Sequence, residues 1–592
     1  MALKFAGNFD ELQQKLNPLG GSWDDSQPNK KILRLDSGVM NWFETTGSIN
    51  FQGKGAGKER LEASVPALLY PTEIKSTQPT ALEPHACTNE KVSETLPPTS
   101  SSLERQYLTA GVNDGELIIG IVSAVGTETG RVLGPLKDRL GGFGYQVEEI
   151  RVSSILPNLS SHSSEYDRIK QLMNSGDALR ESSKNNAILA AGVTKKIAEK
   201  RKNPAEKQAY IINSLKHPRE VEFLKKVYGD GFYLIGIHAD EKRRHKYLTD
   251  DKGCSQDQAK DLIKTDEDES FDHGQKTRDT YHLADFFLNL GKNDDQVKNR
   301  LQRFLELIFS HPYKNPTFDE FAMFMAFNSS VRSGDLSRQV GAVISRSKQI
   351  IATGANDVPQ SGGGLYWAEV DSETGEINDH PDGKDYMREG DSNKQAQAEI
   401  IQEIAKKLLD EGVIKPEKEH DLERFLKESK ISDLTEFGRV VHAEMDALLS
   451  CSRMGIPTTG STLYCTTFPC HNCAKHLVAS GVKRVVYVEP YPKSRALDFH
   501  SESIQLISEL DNSSKNDELV AFEPFIGIGP RRFLDLFSMS LGAGSKLRRK
   551  DREGSTLDWD KATAPIRTPL IPRSYIEIEE AASKIWEEHA KK

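Results

Sequence analysis

Residues 116–126 read ELIIGIVSAVG, a continuous apolar run closed by a glycine. A run without polar alternation predicts a parallel strand buried on both faces. TGRVLGPLKDRLGGFG then reads as a helix and turn, and YQVEEIRVSS as a second strand. QAYIINSLKH and GFYLIGIHAD predict two more strands, each followed by a charged, helix-like stretch. Strands alternating with helices predict a doubly wound α/β layer. Residues 241–300 are dense in charge (EKRRHKYLTDD, KTDEDESFDHGQKTRD) and read as a solvated lid and connector.

A second α/β pattern starts near residue 315. DEFAMFMAFNSSVRS reads as a helix, and QVGAVISR and QIIATGAND as two strands joined by a polar turn. An insertion rich in Gly and charge fills 360–437 and holds one good helix, QAQAEIIQEIAKKLLDEG. Beyond it the expected order is strand STLYCTTF, helix HNCAKHLVASG, strand VKRVVYVEP, helix SESIQLISEL and strand ELVAFEPF.

The two ends of the chain differ from this middle. Within 1–70, FDELQQKLNPL predicts a helix, and KKILRL and GSINFQGK predict short strands bounded by Gly and Asn. Residues 71–112 are rich in Pro, Ser and Thr and hold little that could form a core, so they read as a linker. The tail after 545 is basic, then mixed, and ends in an expected helix, YIEIEEAASKIWEEHAKK. The expected fold class is α/β. A small α+β module (1–70) and a linker (71–112) precede one α/β domain (113–300), a second (301–545) and a tail (546–592).

Composition narrows the function. The chain has 592 residues, with 78 Lys+Arg against 88 Asp+Glu, for a formal charge of −10. This balance argues against a nucleic-acid coat protein and still allows a local basic groove. No apolar run approaches the roughly 20 residues of a membrane helix. The start, MALKFAGNFDELQQKL, lacks the charged-then-apolar layout of a signal peptide. A cytoplasmic protein without a membrane partner is expected. Of the six cysteines, Cys451, Cys465, Cys470 and Cys473 fall within 23 residues. In a reducing compartment such clustering favours a metal over disulfides. Cys87 and Cys254 read as ordinary free cysteines.

Residues 440–450, VVHAEMDALLS, place His442 and Glu444 two apart in an apolar setting. Mid-helix such residues do not face each other, so they converge only near a helix start. Downstream, FPCHNCAKHL spaces Cys470 and Cys473 at i, i+3 behind Pro469, a helix-start signal that puts both thiols on the first turn. A helix N-terminus favours the thiolate, the metal-binding form. One His and two Cys make three zinc ligands and leave a fourth position for water, as in catalytic zinc sites. Glu444 can then take a proton from that water and return it to a substrate. The H-x-E…P-C-x-x-C layout is the zinc deaminase signature. A closed structural site would need Cys465 or Cys451 as fourth ligand and would leave Glu444 unexplained.

Residues 315–495 resemble deoxycytidylate deaminases through VRSGDLSRQVGAVI at 331–344, ATGANDVP at 352–359, HAEMDAL at 442–448 and YCTTFPCHNC at 464–473. The resemblance implies a cytidine-deaminase-like α/β/α fold, with Glu444 as proton shuttle and Asn356 on the sugar hydroxyl. It also implies backbone around Thr466 and Thr467 lining the amino-group pocket. Arg338 is a candidate for the substrate phosphate, or a surface arginine at a strand start. Asp446 departs from the Asn such enzymes often carry.

Further stretches, YDRIKQLMNSGDALRE, SLKHPREVEFL, GQKTRDTYHLADFF, SGGGLYW, GDSN and PFIGIGPRRFLDLF, extend a likeness over about 115–545. There the chain resembles the bacterial anti-phage dCTP deaminases, in which a P-loop kinase-like domain precedes the deaminase domain. That likeness implies depletion of deoxycytidine nucleotides during phage infection and a homo-oligomer. It also implies a regulatory nucleotide at the P-loop-like domain and a regulatory RNA or protein.

The P-loop itself is degenerate. GIVSAVGTETGR offers Gly120, Gly126 and Thr127 but no Gly-Lys-Ser/Thr, and IINSLKH lacks an acid for Mg²⁺. A backbone nest can still hold a phosphate, whereas phosphoryl transfer is poorly supported. Nucleotide sensing, assembly and a structural relic stay open. GVMNWFETTGSINFQGKGAGKERL resembles the TATA-binding-protein-like module fused to some nucleic-acid enzymes, and an ordinary α+β interaction domain is the other reading. Two alternatives to a nucleotide deaminase are a nucleic-acid-editing cytidine deaminase targeted by 1–70 and a non-enzymatic nucleotide switch. The acidic balance opposes the first, and the complete His442, Glu444, Cys470, Cys473 set opposes the second.

Overall fold

The computed structural model describes residues 3–69 and 115–570, apart from 6, 28, 54–55, 157–162, 202–206, 268–272, 292, 435, 489–493, 508–517, 543–545 and 552–553. Residues 579, 583, 586 and 587 are described beyond 570. The expected linker and most of the expected C-terminal helix lie outside the described residues. The chain divides into two compact units, Met1–Leu96 and Pro97–Lys592.

The first unit is an antiparallel meander of β1 (Ser22–Gln27), β2 (Lys30–Leu35), β3 (Gly38–Phe43) and β4 (Ser48–Gly53). Leu33 and Leu35 of β2, Met40 and Trp42 of β3, and Ile49 of β4 share one face by strand alternation. They form one core with Leu12 and Leu16 of the helix Phe9–Leu16 and with Leu61 and Val65 of Ala56–Leu69. Asn8 and Glu11 close a capping box at the first helix.

The second unit holds two sheets. In the first, β5 (Leu117–Ser123), β6 (Gln146–Arg151), β7 (Gln208–Asn213), β8 (Phe232–His238) and β9 (Phe286–Asn289) run parallel in the order β9-β8-β5-β7-β6. Every residue of β5 and β8 is buried, as the apolar runs require. Residues 241–300 are not a solvated connector. They supply the helix Gln256–Glu267, the four buried residues of β9 and the start of the helix Asp294–Ile308. The short FFLN run is buried on both faces and hidden in sequence by its charged flanks.

The second sheet opens with the hairpin β10 (Gly341–Arg346) and β11 (Gln349–Ala355). The insertion carries a small hairpin, β12 (Glu369–Val370) and β13 (Ile377–Asn378), the expected helix as Ser392–Asp410, and a further helix, Glu419–Lys427. The sheet continues with β14 (Thr462–Cys465), β15 (Arg484–Tyr487), β16 (Ile504–Leu506) and β17 (Val520–Pro524), in the order β11-β10-β14-β15-β17-β16. SESIQLISEL, expected as a helix, contains the edge strand β16, whose Ile504 joins the core. A short apolar run does not by periodicity tell strand from helix.

The two sheets share structure. A short strand, β18 (Gly527–Ile528), leaves the second sheet and pairs antiparallel with β9. Ile118 and Leu215 from the first layer and Val343, Tyr464 and Val486 from the second belong to one hydrophobic cluster. Glu320, fully buried on the helix Phe318–Ser330, accepts the Ile528 N–H at 2.8 Å and pairs with Arg303 at 2.7 Å. The second unit therefore folds around a continuous core. Among the described residues no helix is long and apolar enough to cross a membrane.

Candidate active site

The helix Ala443–Arg453 starts against β11. Antiparallel pairing of Asp357 with Val441 brings the segment before the helix alongside the end of β11. His442 takes the N-cap position and Glu444 the first turn, so the two residues do converge at a helix start. Cys470 caps the helix His471–Ala479, and its sulfur accepts the Cys473 N–H at 3.4 Å. His442 Nδ1 lies 3.3 Å from Cys470 Sγ and 3.4 Å from Cys473 Sγ. Imidazole and thiols thus sit within 4.8 Å of one another, the single such grouping among the described residues. Buried Cys451 and Cys465 stand outside it, so no fourth cysteine closes the set.

The electrostatics suit a cation. Cys470 is held down to about 4, first by the Cys473 thiol that donates to it and then by His442. His442 is in turn pushed up to about 9 by Cys470. The pairing favours the Cys470 thiolate beside a protonated His442, and a metal would displace the protons of His442 and Cys473, since metal binding requires deprotonated ligands. Glu444 is 3 % exposed. Burial pushes its carboxyl above the usual range, while His442 draws it down. A buried acid so placed is suited to passing protons to and from a neighbouring ligand.

His442, Glu444 and Cys470 line a cavity of about 310 Å³. Asn356, Arg338 and Thr467 line it too. Asn356 holds the surrounding loop: its Oδ1 accepts the Val340 N–H at 2.6 Å and its Nδ2 donates to the Arg338 carbonyl at 2.8 Å. Arg338 is exposed and has no ion-pair partner among the described residues. Thr466 is not among the lining residues. Its hydroxyl accepts the Gly341 N–H at 3.1 Å and its own N–H donates to the Gly341 carbonyl, tying β14 to β10. Asp446 is buried and accepts the Ala355 N–H at 3.2 Å, one residue before Asn356.

Sequence reasoning missed the insertion's share of the cavity. Asp385, Asp391 and Asn393 reach it. Asp391 caps the helix Ser392–Asp410. Arg439, three residues before His442, binds Asp385 at 2.9 Å and the Gly383 carbonyl at 2.9 Å. GDSN was visible as a stretch; its approach to His442 was not.

The loop after β5 divides the remaining expectations. Gly120 lies inside β5, where a Cβ would meet the Phe232 and Leu215 side chains at 2.8 and 2.9 Å. It packs within the sheet and is not among the residues that line the cavity beside Gly126 and Thr127. Gly126, at φ +81°, and Thr127 do line a second cavity, of about 510 Å³.

Three candidate ligand atoms and an adjoining buried acid in one cavity fit a cytidine-type deaminase, and comparison agrees. Residues 316–489 match the model of the cytidine and deoxycytidylate deaminase zinc-binding region. The deoxycytidylate deaminase of Enterobacteria phage T4 is 32% identical over 174 residues, 29% of this chain and 77% of that one. The chain belongs to the deoxycytidylate deaminase family. ComE operon protein 2 of Bacillus subtilis is 47% identical over 53 residues, 9% of this chain and only 28% of that protein. Among solved structures, the dCMP deaminase of cyanophage S-TIM5 in complex with dCMP and dUMP matches at 20% identity. It covers 35% of this chain and 98% of its own, and its TM-score of 0.19 adds no argument.

Proposed function

We propose that this chain is a zinc-dependent hydrolytic deaminase of deoxycytidine nucleotides, taking dCTP, dCMP or both to the deoxyuridine form and ammonia. His442 Nδ1 and the sulfurs of Cys470 and Cys473 would hold the zinc, since an imidazole and two thiols with no fourth ligand among the described residues fit its catalytic sites. When bound, zinc supplies a Lewis acid that makes water acidic enough to attack the base. Glu444 would take one proton from the attacking water and deliver it to the ring nitrogen beside the reacting carbon, then take the second from the hydroxyl so formed and deliver it to the amine, which leaves as ammonia while the carbonyl forms. Asn356 holds the loop of Val340 and Arg338 as one wall around the sugar, and Arg338 faces the phosphate end. Thr467 lines the wall near the amino group.

The observation that carries this reading is Glu444, almost fully buried and two residues from His442 in one cavity. The likeness over about 115–545 supports depletion of dCTP as an anti-phage role in the cytoplasm, exercised by a homo-oligomer. The test is product chromatography. The purified chain is offered dCTP, dCMP, deoxycytidine, CTP and a short single-stranded DNA, beside Glu444→Ala. Uracil nucleotide that forms with the parent chain and not with the variant supports the proposal and ranks the substrates. Uracil in the DNA alone overturns it and favours editing targeted by residues 1–70.

A further inference from the structure

Every residue from 367 to 378 is exposed, and β12 and β13 lie within that stretch. Val370 pairs with Ile377 across the hairpin, and the two are 67 % and 70 % exposed. Strand alternation puts this apolar pair on one face and Glu369 with Asn378 on the other. A two-stranded hairpin with no layer packed on it is only marginally stable in water, so a cover for the pair would stabilise it.

The charge of the hairpin selects its cover. Between 367 and 378 stand Glu369, Asp371, Glu373 and Glu376, and no lysine or arginine. Asp371 serves the turn, accepting the Glu373 and Thr374 N–H groups at 2.9 and 2.8 Å. Glu369, Glu373 and Glu376 have no ion-pair partner among the described residues. Such a surface repels a phosphate backbone or an anionic membrane and attracts a basic protein face.

The chain carries that face itself. Along 546–550, KLRRK, exposure alternates: Lys546, Arg548 and Lys550 are exposed, Leu547 is buried and Arg549 half-buried. Arg549 is held inward, donating to the Pro312 carbonyl at 2.9 Å. The three exposed cations have no ion-pair partner among the described residues. The Leu547 N–H donates to the Met539 carbonyl at 3.0 Å, which brings exposed Met539 alongside. Leu541, two residues on, is 78 % exposed. Three free cations beside uncovered apolar side chains thus match three free carboxylates beside an uncovered apolar pair.

We infer that the β12–β13 hairpin of one copy docks on the 546–550 segment of a second copy. The family likeness implies a homo-oligomer without saying which surfaces form it; these two are complementary. Each copy offers both, so any closed assembly makes the contact at least twice. Exposed ion pairs are individually weak and mainly orient the partner, and the apolar side chains add the rest.

The contact reaches the deaminase cavity. Beyond β13, Arg439 donates to the Asp382 carbonyl at 3.2 Å, and to the Gly383 carbonyl and the Asp385 carboxylate at 2.9 Å. Asp385 lines that cavity. A docked hairpin anchors this wall from its other end, so the assembled form binds substrate more tightly. This second half rests on the deaminase reading; the docking does not.

Sedimentation velocity of the full chain over a concentration series tests the docking. The parent self-associates, and added salt weakens the association. Glu373→Lys with Glu376→Lys raises the dissociation constant by about tenfold. Arg548→Glu with Lys550→Glu does the same, and the four changes together restore association. All four positions are exposed, so the unfolding midpoints match the parent's. A parent that stays monomeric overturns the docking. So does a charge reversal that leaves association unchanged, or a fourfold variant that fails to restore it. Steady-state kinetics with dCMP and dCTP test the bracing: KM rises in each double variant and returns in the fourfold one. Unchanged KM beside lost association overturns the bracing. A parent that associates through these surfaces and deaminates nothing removes the proposed function and supports the docking.

Discussion

Asn356 grips both sides of one loop, accepting the Val340 N–H and donating to the Arg338 carbonyl. An amide has one further N–H and one further lone pair, and these are what remain for a sugar hydroxyl. Asn356→Ala therefore releases the wall as well as the contact. KM for the preferred nucleotide rises, and stability falls by about 1–3 kcal/mol, the cost of stranding buried polar groups. Asn356→Asp does not rescue, because its second oxygen faces the Arg338 carbonyl. Steady-state kinetics and thermal unfolding read both effects.

β11 lies in backbone contact with the helix that carries the site. A Cβ on Gly354 would meet the Ala443 carbonyl oxygen at 2.1 Å and the Ala447 nitrogen at 2.6 Å. Neither backbone atom can swing aside as a side chain would. Gly354→Ala should cost about 1–3 kcal/mol, as overpacking does, and shift His442 from the two sulfurs. A lowered unfolding midpoint together with weakened metal retention is expected; an unchanged midpoint would refute the contact.

Metal content separates ligand from proton carrier. Cys470→Ser removes one of three ligand atoms and should lose both bound zinc and activity after dialysis. Glu444→Gln keeps the zinc and slows deamination by about 10²–10⁴-fold, the usual worth of a general acid–base group. Elemental analysis beside a rate assay distinguishes them, and zinc lost from Glu444→Gln would contradict the division of roles.

His238, at the end of β8, is 6 % exposed, and its Nδ1 has no hydrogen-bond partner among the described residues. Burial first and Arg244 second lower it from 6.5 to about 4, while Asp240 opposes. The sign follows from linkage. The unfolded chain binds a proton below about 6.5 that the folded chain refuses until about 4. Stability from this residue is therefore complete above about pH 6.5 and is lost as pH falls towards 4. Between those limits the loss is on the order of 3 kcal/mol. His238→Gln should flatten that part of the stability–pH curve measured by denaturant titration.

The grouping was legible because His442, Glu444, Cys470 and Cys473 sit at helix starts, and helix starts have local signals such as Pro469 and the i, i+3 spacing. Buried β5 and β8 announced themselves as apolar runs. β9 did not, being four residues between charged stretches, and β16 shared its short apolar run with a helix pattern. Gly120 lay in the run predicted as a strand and also headed the P-loop-like stretch, because a sequence does not separate a glycine needed beside a phosphate from one needed for strand packing. The approach of Asp385 and Asp391 to Glu444 depends on where an insertion folds back, for which no periodicity exists. Asp266, fully buried and paired with Lys216 at 2.7 Å from a distant helix, was invisible for the same reason.

Gly527 and Ile528 form the outer strand next to Phe286 and Phe287. A gene cut between the two layers would yield a first half whose last strand exposes a bare row of amides and carbonyls, an invitation to aggregate. The deaminase half would keep a dangling dipeptide with nothing to pair. Each half thus serves as the other's folding partner, and selection on either acts on both.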